Sequence, residues 1–329
     1  MEPILSIGIT SYKRVKELER CINSVDTKYV DDIEIIVSED CSPLSKEIGQ
    51  KVEDMKEGCR YNLKFMPNEQ NLGYDRNLAA IINKSRGKFV FLISDDDAIY
   101  EGFLDILVPF LKEKGDNYGI LYSPFVYTSS KKKDRDYGID LVLDKGFDNC
   151  KKHVYDSILF SGLIFKKECV KDLDAERFLN MNYFQVYMFL KTMYNYGGYY
   201  FAAPSVWCVG DGENAYGLSE SSGGNDALKN RKSVISNLEF NKTLVKVVKI
   251  FDDDEGTDVL SSFCKQYSKH CISGLLLARV YGVNYYQNYW SKLKEVGVKL
   301  SPIAYLYYFV VLLSGKKVSA WLTSFRKYA

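Results

Sequence analysis

Residues 88–99 read KFVFLISDDDAI, and the class of fold turns on them. The run Phe89 to Ile93 is apolar, β-branched and aromatic without alternation, as in a strand covered on both faces. It ends in Ser94, Asp95, Asp96 and Asp97. Carboxylates crowded at the end of a buried strand repel one another and lose solvation unless positive charge joins them. The stretch holds no His or Cys, so its donors are hard oxygens that suit Mg2+ or Mn2+, ions that commonly arrive with phosphate. A metal-diphosphate site is therefore expected at this strand end. The competing reading is an acidic turn capping a helix over Gly102–Lys114. A second DDD, Asp252–Asp254, follows a helix-like stretch and reads as a solvated loop.

Working back from Lys88, the pattern predicts a strand over Leu5–Thr10, then a helix whose apolar face is Val15, Leu18, Cys21, Ile22 and Val25. A second strand, Ile33–Val37, ends in Ser38, Glu39 and Asp40. A helix over Leu44–Met55, a strand over Leu63–Met66, a loop over Pro67–Gly73 and a helix over Tyr74–Ser85 lead into the central strand. Strands alternating with helices predict a doubly wound α/β sheet. Such sheets bind ligands beyond the carboxyl ends of their strands, so Thr10–Arg14, Glu39–Asp40 and Asp95–Asp97 should converge on one crevice. SYKRVK, after the first strand, is no glycine fingerprint, and the chain has no GxxxxGK[ST] loop. A nicotinamide site and a P-loop triphosphatase are both disfavoured. Beyond the centre, Ile120–Tyr127 reads as one strand and KKKDRD, residues 131–136, as a flexible solvated loop.

Composition narrows the classes further. The 329 residues are 46% hydrophobic and 26% charged, which fits a globular chain with one domain of about 200–250 residues and an appendage. A formal charge of +1 gives no support to a nucleic-acid partner. Eight scattered cysteines without a CxxC pair or a leading signal peptide point to a reducing cytoplasm. His153 and His270, the two histidines, read as structural, which argues against zinc hydrolases and Ser/His/Asp chemistry.

The blocks ILSIGITSYKR (4–14), IEIIVSEDCS (33–42) and NEQNLGYDRNLAAIINKSRGKFVFLISDDD (68–97) carry a resemblance. Together they resemble the amino-terminal half of a family 2 glycosyltransferase of the GT-A fold, most of all the abequosyltransferase-like enzymes of bacterial surface polysaccharide synthesis. The similarity is good over residues 3–127, moderate over 155–210 and nearly absent beyond. It implies a GT-A type mixed sheet, a nucleotide-sugar donor, Mn2+ or Mg2+, and a glycan acceptor that is lipid-linked. UDP is the first expectation for the donor nucleotide, with CDP or dTDP as alternatives.

The resemblance also assigns roles. Thr10, Tyr12 and Arg14 border the nucleotide, and Asp40 with Glu39 meets the base. Gly73, Arg76 and Asn77 match the glycine and the closing Arg-Asn of the family's NxGxxxARN block, which is two residues shorter here, with Asp75 in place of its alanine, and Arg76 lies near the diphosphate or ribose. The alternative for Arg76 is a surface ion pair with Asp75 or Glu69. Asp95 and Asp97 match the ends of the DxD signature, Asp97 as the metal ligand, with Asp95 or Asp96 at the ribose or a metal-bound water. SGLIFKK, residues 161–167, is similar to the strand lining the sugar and acceptor pocket, where Ser161 and Gly162 let a ligand approach the backbone. Gln185 is a candidate acceptor contact. The family's acidic pair falls on Asn182–Gln185, which has no carboxylate. The base candidates are then Asp172, Asp174, Glu176, Asp211 and Glu213, with Asp211 preferred because VGDGENAYG (209–217) is glycine-rich and follows a strand. Inversion and retention both stay open. The rival readings are a nucleotide-sugar-binding scaffold and a nucleotidyltransferase.

From Asp226 the pattern is helical, with further helices over Val259–Tyr281 and Tyr285–Val296. SESSGGN, residues 219–225, has linker composition, so the expected division is 1–220 and 226–329. Ile303–Leu313 is the most apolar run but is shorter than the ~20 residues that span a bilayer. With Lys316, Lys317, Trp321, Phe325, Arg326 and Lys327 after it, two readings stand. One is a helix in the membrane interface at the inner face of the plasma membrane; the other is a terminal helix pair packed on the protein or a second subunit.

Overall fold

The computed structural model describes residues 2–209 and 226–327, which fall in two compact units, Met1–Glu213 and Asn214–Ala329. In the first, β1 (Leu5–Ser11), α1 (Val15–Asn23), β2 (Ile33–Glu39), α2 (Ser45–Lys56), β3 (Asn62–Phe65), α3 (Tyr74–Lys84) and β4 (Phe89–Ser94) follow the predicted alternation closely. Then come β5 (Ala98–Ile99), α4 (Phe103–Lys114), β6 (Ile120–Tyr122), β7 (Phe125–Tyr127), β8 (Lys133–Asp134), β9 (Leu141–Leu143) and α5 (Phe147–His153). The unit closes with β10 (Leu163–Lys166), α6 (Phe184–Tyr196), β11 (Gly198–Tyr200) and β12 (Val206–Cys208).

An eight-stranded sheet runs β3-β2-β1-β4-β10-β6-β11-β9, parallel through its first four strands, with β10 antiparallel to both β4 and β6. A four-stranded sheet, β5-β12-β7-β8, stands beside it. Phe89, Val90, Phe91, Leu92 and Ile93 are all fully buried, each contributing about 1.5–3 kcal/mol by leaving water. That burial fixes β4 at the centre, and the acidic triplet must therefore emerge at its end.

In the first unit two expectations are corrected. The single strand over Ile120–Tyr127 is two, because Ser123–Pro124 interrupts it: proline brings no N–H to a ladder, so β6 stays in the large sheet and β7 joins the small one. Nor is KKKDRD a wholly solvated loop. Lys133–Asp134 pairs with β7, and Arg135 is buried, its guanidinium over the Phe125 ring at 5.0 Å and Nη2 donating to the Leu159 carbonyl.

The second unit is helical: α7 (Asp226–Glu255), α8 (Val259–His270), α9 (Ile272–Val280), α10 (Val283–Lys294) and α11 (Pro302–Lys327). Phe251, Val259, Phe263, Leu275, Tyr286 and Leu293 form its buried centre. The helix expected over Val259–Tyr281 is divided at Cys271. Asp252–Asp254 is the last turn of α7 and not a loop; Asp252 accepts from Thr257 Oγ1 (2.7 Å) and from the Val259 (2.7 Å) and Leu260 (2.9 Å) amides, capping α8. Among the described residues no helix is long and apolar enough to cross a membrane.

Candidate active site

The register of the parallel strands brings the three expected strand ends together. Thr10 lies opposite Ser94 and Ser11 opposite Glu39, and both ladders run one residue further: the Asp95 amide donates to Thr10 O (3.2 Å) and the Asp40 amide to Ser11 O (3.0 Å). The acidic triplet thus sits next to the turn after β1. Arg14, at the start of α1, places Nη1 2.7 Å from Asp95 Oδ1 and 3.2 Å from Asp96 Oδ1, while the Tyr12 amide donates to Asp95 Oδ2 (3.2 Å). Arg20 donates to the Asp96 carbonyl (2.8 Å), and the Ser94 hydroxyl donates to the Asp96 carboxylate. Asp97 has a different set of partners. It accepts from the Val209 amide (3.2 Å), the Ser161 hydroxyl and the Cys208 thiol.

Burial dominates the electrostatics. It pushes Asp95 up to about 7 against the pull of Arg14, and Asp97 up to about 6 against the hydrogen bond from Ser161. The Cys208 thiol is driven to about 12, by burial first and then by Asp97 and Asp96. Burial disfavours the Arg14 cation, but Asp95 and Asp96 outweigh this and its pKa rises. The cluster is short of positive charge, and its hard carboxylate donors fit Mg2+ or Mn2+. Among the described residues no three His, Cys, Asp or Glu side chains already converge on one point. The fit is therefore to a cation held by one or two carboxylates and completed by oxygen ligands from outside the protein, as Mg2+ commonly is.

On the β2 side, Glu39 and Asp40 are buried. Asp40 accepts from Asn68 Nδ2 (3.0 Å) and from the Leu72 (2.8 Å) and Gly73 (2.9 Å) amides, so it shapes the loop before α3. Glu39 Oε1 accepts from the Ser42 amide (2.9 Å), whereas its buried Oε2 meets no donor among the described residues. Arg76 forms an exposed bidentate pair with Glu176, at 2.7 Å through Nε, and not with Asp75 or Glu69. Solvent screens an exposed pair of this kind, so Arg76 can exchange this partner for another anion at little cost.

On the β10 side, Ser161 Oγ accepts from the Ser94 amide (3.1 Å) and the Gly162 amide donates to Leu92 O (2.9 Å). Gly162 has φ +88°, which strains any other residue, and a Cβ there would press on Ser205 Oγ at 2.7 Å, so the backbone conformation favours glycine. Gln185, buried in the first turn of α6, donates to Ile158 O (2.9 Å) and accepts from Tyr74 Oη (2.9 Å). His153 is buried with Asp156 and Tyr122 and keeps its structural reading.

A carboxylate does reach the start of α6, from elsewhere in the chain. Asp75, on α3, accepts from the Asn182 (2.9 Å), Phe184 (3.0 Å) and Met181 (3.2 Å) amides, and burial raises its pKa despite those bonds. Its departure from the alanine of the NxGxxxARN block was the only signal of this in the sequence. With three amide donors on it, Asp75 holds the 181–184 turn. Asp75→Ala should lower stability by about 2–4 kcal/mol by leaving buried donors unmet, with Asp75→Asn losing less, a difference readable by urea denaturation. Glu176 is taken by Arg76, and Asp174 caps the turn that carries it through the Glu176 amide (2.9 Å). Asp211 and Glu213 lie outside the described residues.

With the geometry in place, comparison with known proteins gives one consistent result. The family model described as Glycosyl transferase family 2 matches residues 6–173. Abequosyltransferase RfbV of Salmonella typhimurium is 29% identical over 117 residues, 35% of this chain and 34% of that protein. The GalNAc(5)-diNAcBac-PP-undecaprenol beta-1,3-glucosyltransferase of Campylobacter jejuni is 29% identical over 107 residues, 32% of this chain and 34% of that protein. The match thus spans about a third of each relative's length. Among solved structures, S. aureus TarS 1-349 superposes with a TM-score of 0.54 at 16% identity, covering 95% of this chain and 91% of that one. The mannosyltransferase PcManGT from Pyrobaculum calidifontis, solved with GDP-Man and Mn2+, gives 0.52 at 14% identity, covering 100% and 85%. These structural likenesses establish the fold.

Proposed function

The chain belongs to glycosyltransferase family 2 and has the GT-A fold, and from that premise we propose that it transfers a glycosyl group from a nucleotide-sugar donor to a glycan acceptor in bacterial surface polysaccharide synthesis. The observation that carries this reading is Arg14 placed against Asp95 and Asp96 at the shared end of β1 and β4. A cationic fork and an electron-rich carboxylate cluster side by side suit a diphosphate that brings a divalent ion with it.

In this reading Asp97 and Asp95 hold Mg2+ or Mn2+, with Asp96 beside them; when bound, the ion would supply charge stabilisation to the leaving nucleoside diphosphate. Arg14 orients the diphosphate, joined by Arg76 once it leaves Glu176. Thr10, Tyr12, Glu39 and Asp40 border the nucleoside, and the unmet Glu39 Oε2 is an acceptor suited to a base N–H. Ser161, Gly162 and Gln185 line the sugar and acceptor side. Asp211 is the candidate base; its support is that Val209, two residues earlier, donates to Asp97. A lipid-linked acceptor is favoured by the polyprenyl diphosphate substrate in the Campylobacter relative's name.

Thermal stabilisation by UDP, CDP, GDP and dTDP, each with Mn2+ and with EDTA, tests the donor site. A ligand at 100 times its Kd adds about 2.7 kcal/mol, a clear rise in Tm. The expected result is a shift for one nucleotide, UDP first, that disappears with EDTA. No shift for any nucleotide would overturn the reading.

A further inference from the structure

Helix α11 has two unlike faces. Ala304, Val311 and Ser319 are buried, and Tyr308 stacks on Trp290 at 4.5 Å and on Tyr286 at 5.2 Å, so this side is packed against α10. On the other side Tyr305, Leu306, Phe309, Val310 and Leu313 form a stripe at helical spacing, with Leu306 59%, Phe309 58% and Leu313 85% exposed. At Gly315 the backbone leaves the helix (φ +74°) and a second helical segment begins, with Lys316 and Lys317 exposed at the junction.

Charge decides what meets this stripe. From Val296 to Ala329 the sequence carries Lys299, Lys316, Lys317, Arg326 and Lys327 and no Asp or Glu. A second copy using the same face in a two-fold pair would set these cations against one another. An anionic bilayer surface answers both the cations and the apolar row, and exposed Trp321 is a residue type that settles at that depth. We propose that α11 is a peripheral membrane anchor that lies in the headgroup region of an anionic leaflet, with Leu306, Phe309 and Leu313 in the acyl boundary and Lys316 and Lys317 against lipid phosphates. This anchoring goes beyond the transfer reaction and does not depend on the donor.

Co-sedimentation of the full chain with phosphatidylcholine vesicles, with and without phosphatidylglycerol, tests it. The protein should pellet with the anionic vesicles, weakly with the zwitterionic ones, and less as salt is raised. Lys316→Gln/Lys317→Gln should cut partitioning by about 25-fold, roughly fivefold for each cation. Leu306→Glu/Leu313→Glu should reduce it to background with an unchanged circular dichroism spectrum. If that variant fails to fold, the lysine pair decides, since both positions are exposed. No binding of the wild type to anionic vesicles, or wild-type binding by the lysine variant, overturns the proposal. So does a dimer in sedimentation velocity that the leucine variant dissociates while vesicles are ignored.

Discussion

Asp97→Asn should lower kcat/KM with the donor sugar nucleotide and Mn2+ by about a thousandfold, roughly 4 kcal/mol of transition-state stabilisation, while leaving the protein folded. The two halves of that result separate function from architecture. Burial holds the Asp97 carboxyl at about 6, so in the ligand-free protein its ionised form is a burden at pH 8. The amide keeps an acceptor for the Val209 N–H, its NH2 can donate to the Ser161 oxygen once that hydroxyl rotates, and it carries no charge, so Tm at pH 8 should stay close to that of the wild type. Donor turnover, measured as nucleoside diphosphate released, and a melting curve on the same sample check both. Asp253→Ala, in the other acidic triplet and exposed, should change turnover by less than about twofold and leave Tm in place, as surface substitutions seldom matter. Full activity in Asp97→Asn would remove the metal assignment.

Arg14→Ala should cost about 3 kcal/mol of stability at pH 8 and weaken nucleotide binding by at least an order of magnitude. Removing one partner of a buried pair leaves the other charge uncompensated, a loss of about 3–5 kcal/mol when both are fully enclosed. Asp95 is almost fully buried, and Arg14 about one-seventh exposed, which sets the estimate at the lower end. The dependence on pH has a definite sign. Asp95 titrates at about 7 in the folded protein, above the ordinary carboxylate value. The folded state therefore binds the extra proton between about pH 4 and 7, and stability without ligand falls as pH rises through that window. At pH 5.5 Asp95 is already largely protonated and asks less of Arg14, so the Arg14→Ala deficit should shrink from pH 8 to 5.5. Urea denaturation of both proteins at the two pH values measures it. A deficit that grows on acidification would show that Arg14 does not act through Asp95.

Periodicity made the first half of the fold legible. A five-residue apolar run rich in β-branched and aromatic residues and closed by an acidic turn fits a covered strand, and the alternation of strands with helices from Leu5 to Ser94 leaves few other arrangements. The convergence of Arg14, Asp40 and Asp95 followed from the same pattern, because parallel strands present their ends together. What stayed hidden is what long-range contact decides. The Arg135 side chain belongs to a string of charges, yet it is enclosed because β8 joins an edge that only the folded small sheet creates. Asp252 looked like loop because its partners, at Thr257 to Leu260, become donors only once α8 has formed. Asp75 and the 181–184 turn are a hundred residues apart, beyond any spacing rule. The break at Ser123–Pro124 is legible in the sequence, because proline brings no N–H to a ladder whatever apolar residues surround it.

The antiparallel entry of β10 beside β4 has a consequence during synthesis. The four parallel strands β3-β2-β1-β4 are complete at Ser94, but the neighbour that covers the free edge of β4 begins only at Leu163. At about 5–20 residues per second, a ribosome leaves that edge open for roughly 4–14 s, with a row of unpaired amides and carbonyls along five buried apolar residues. The nascent chain is most exposed to wrong pairing in that interval. It ends when the Gly162 amide closes onto Leu92 and the Ser94 amide onto Ser161. Closing the sheet edge and positioning Ser161 and Gly162 thus rest on the same two hydrogen bonds.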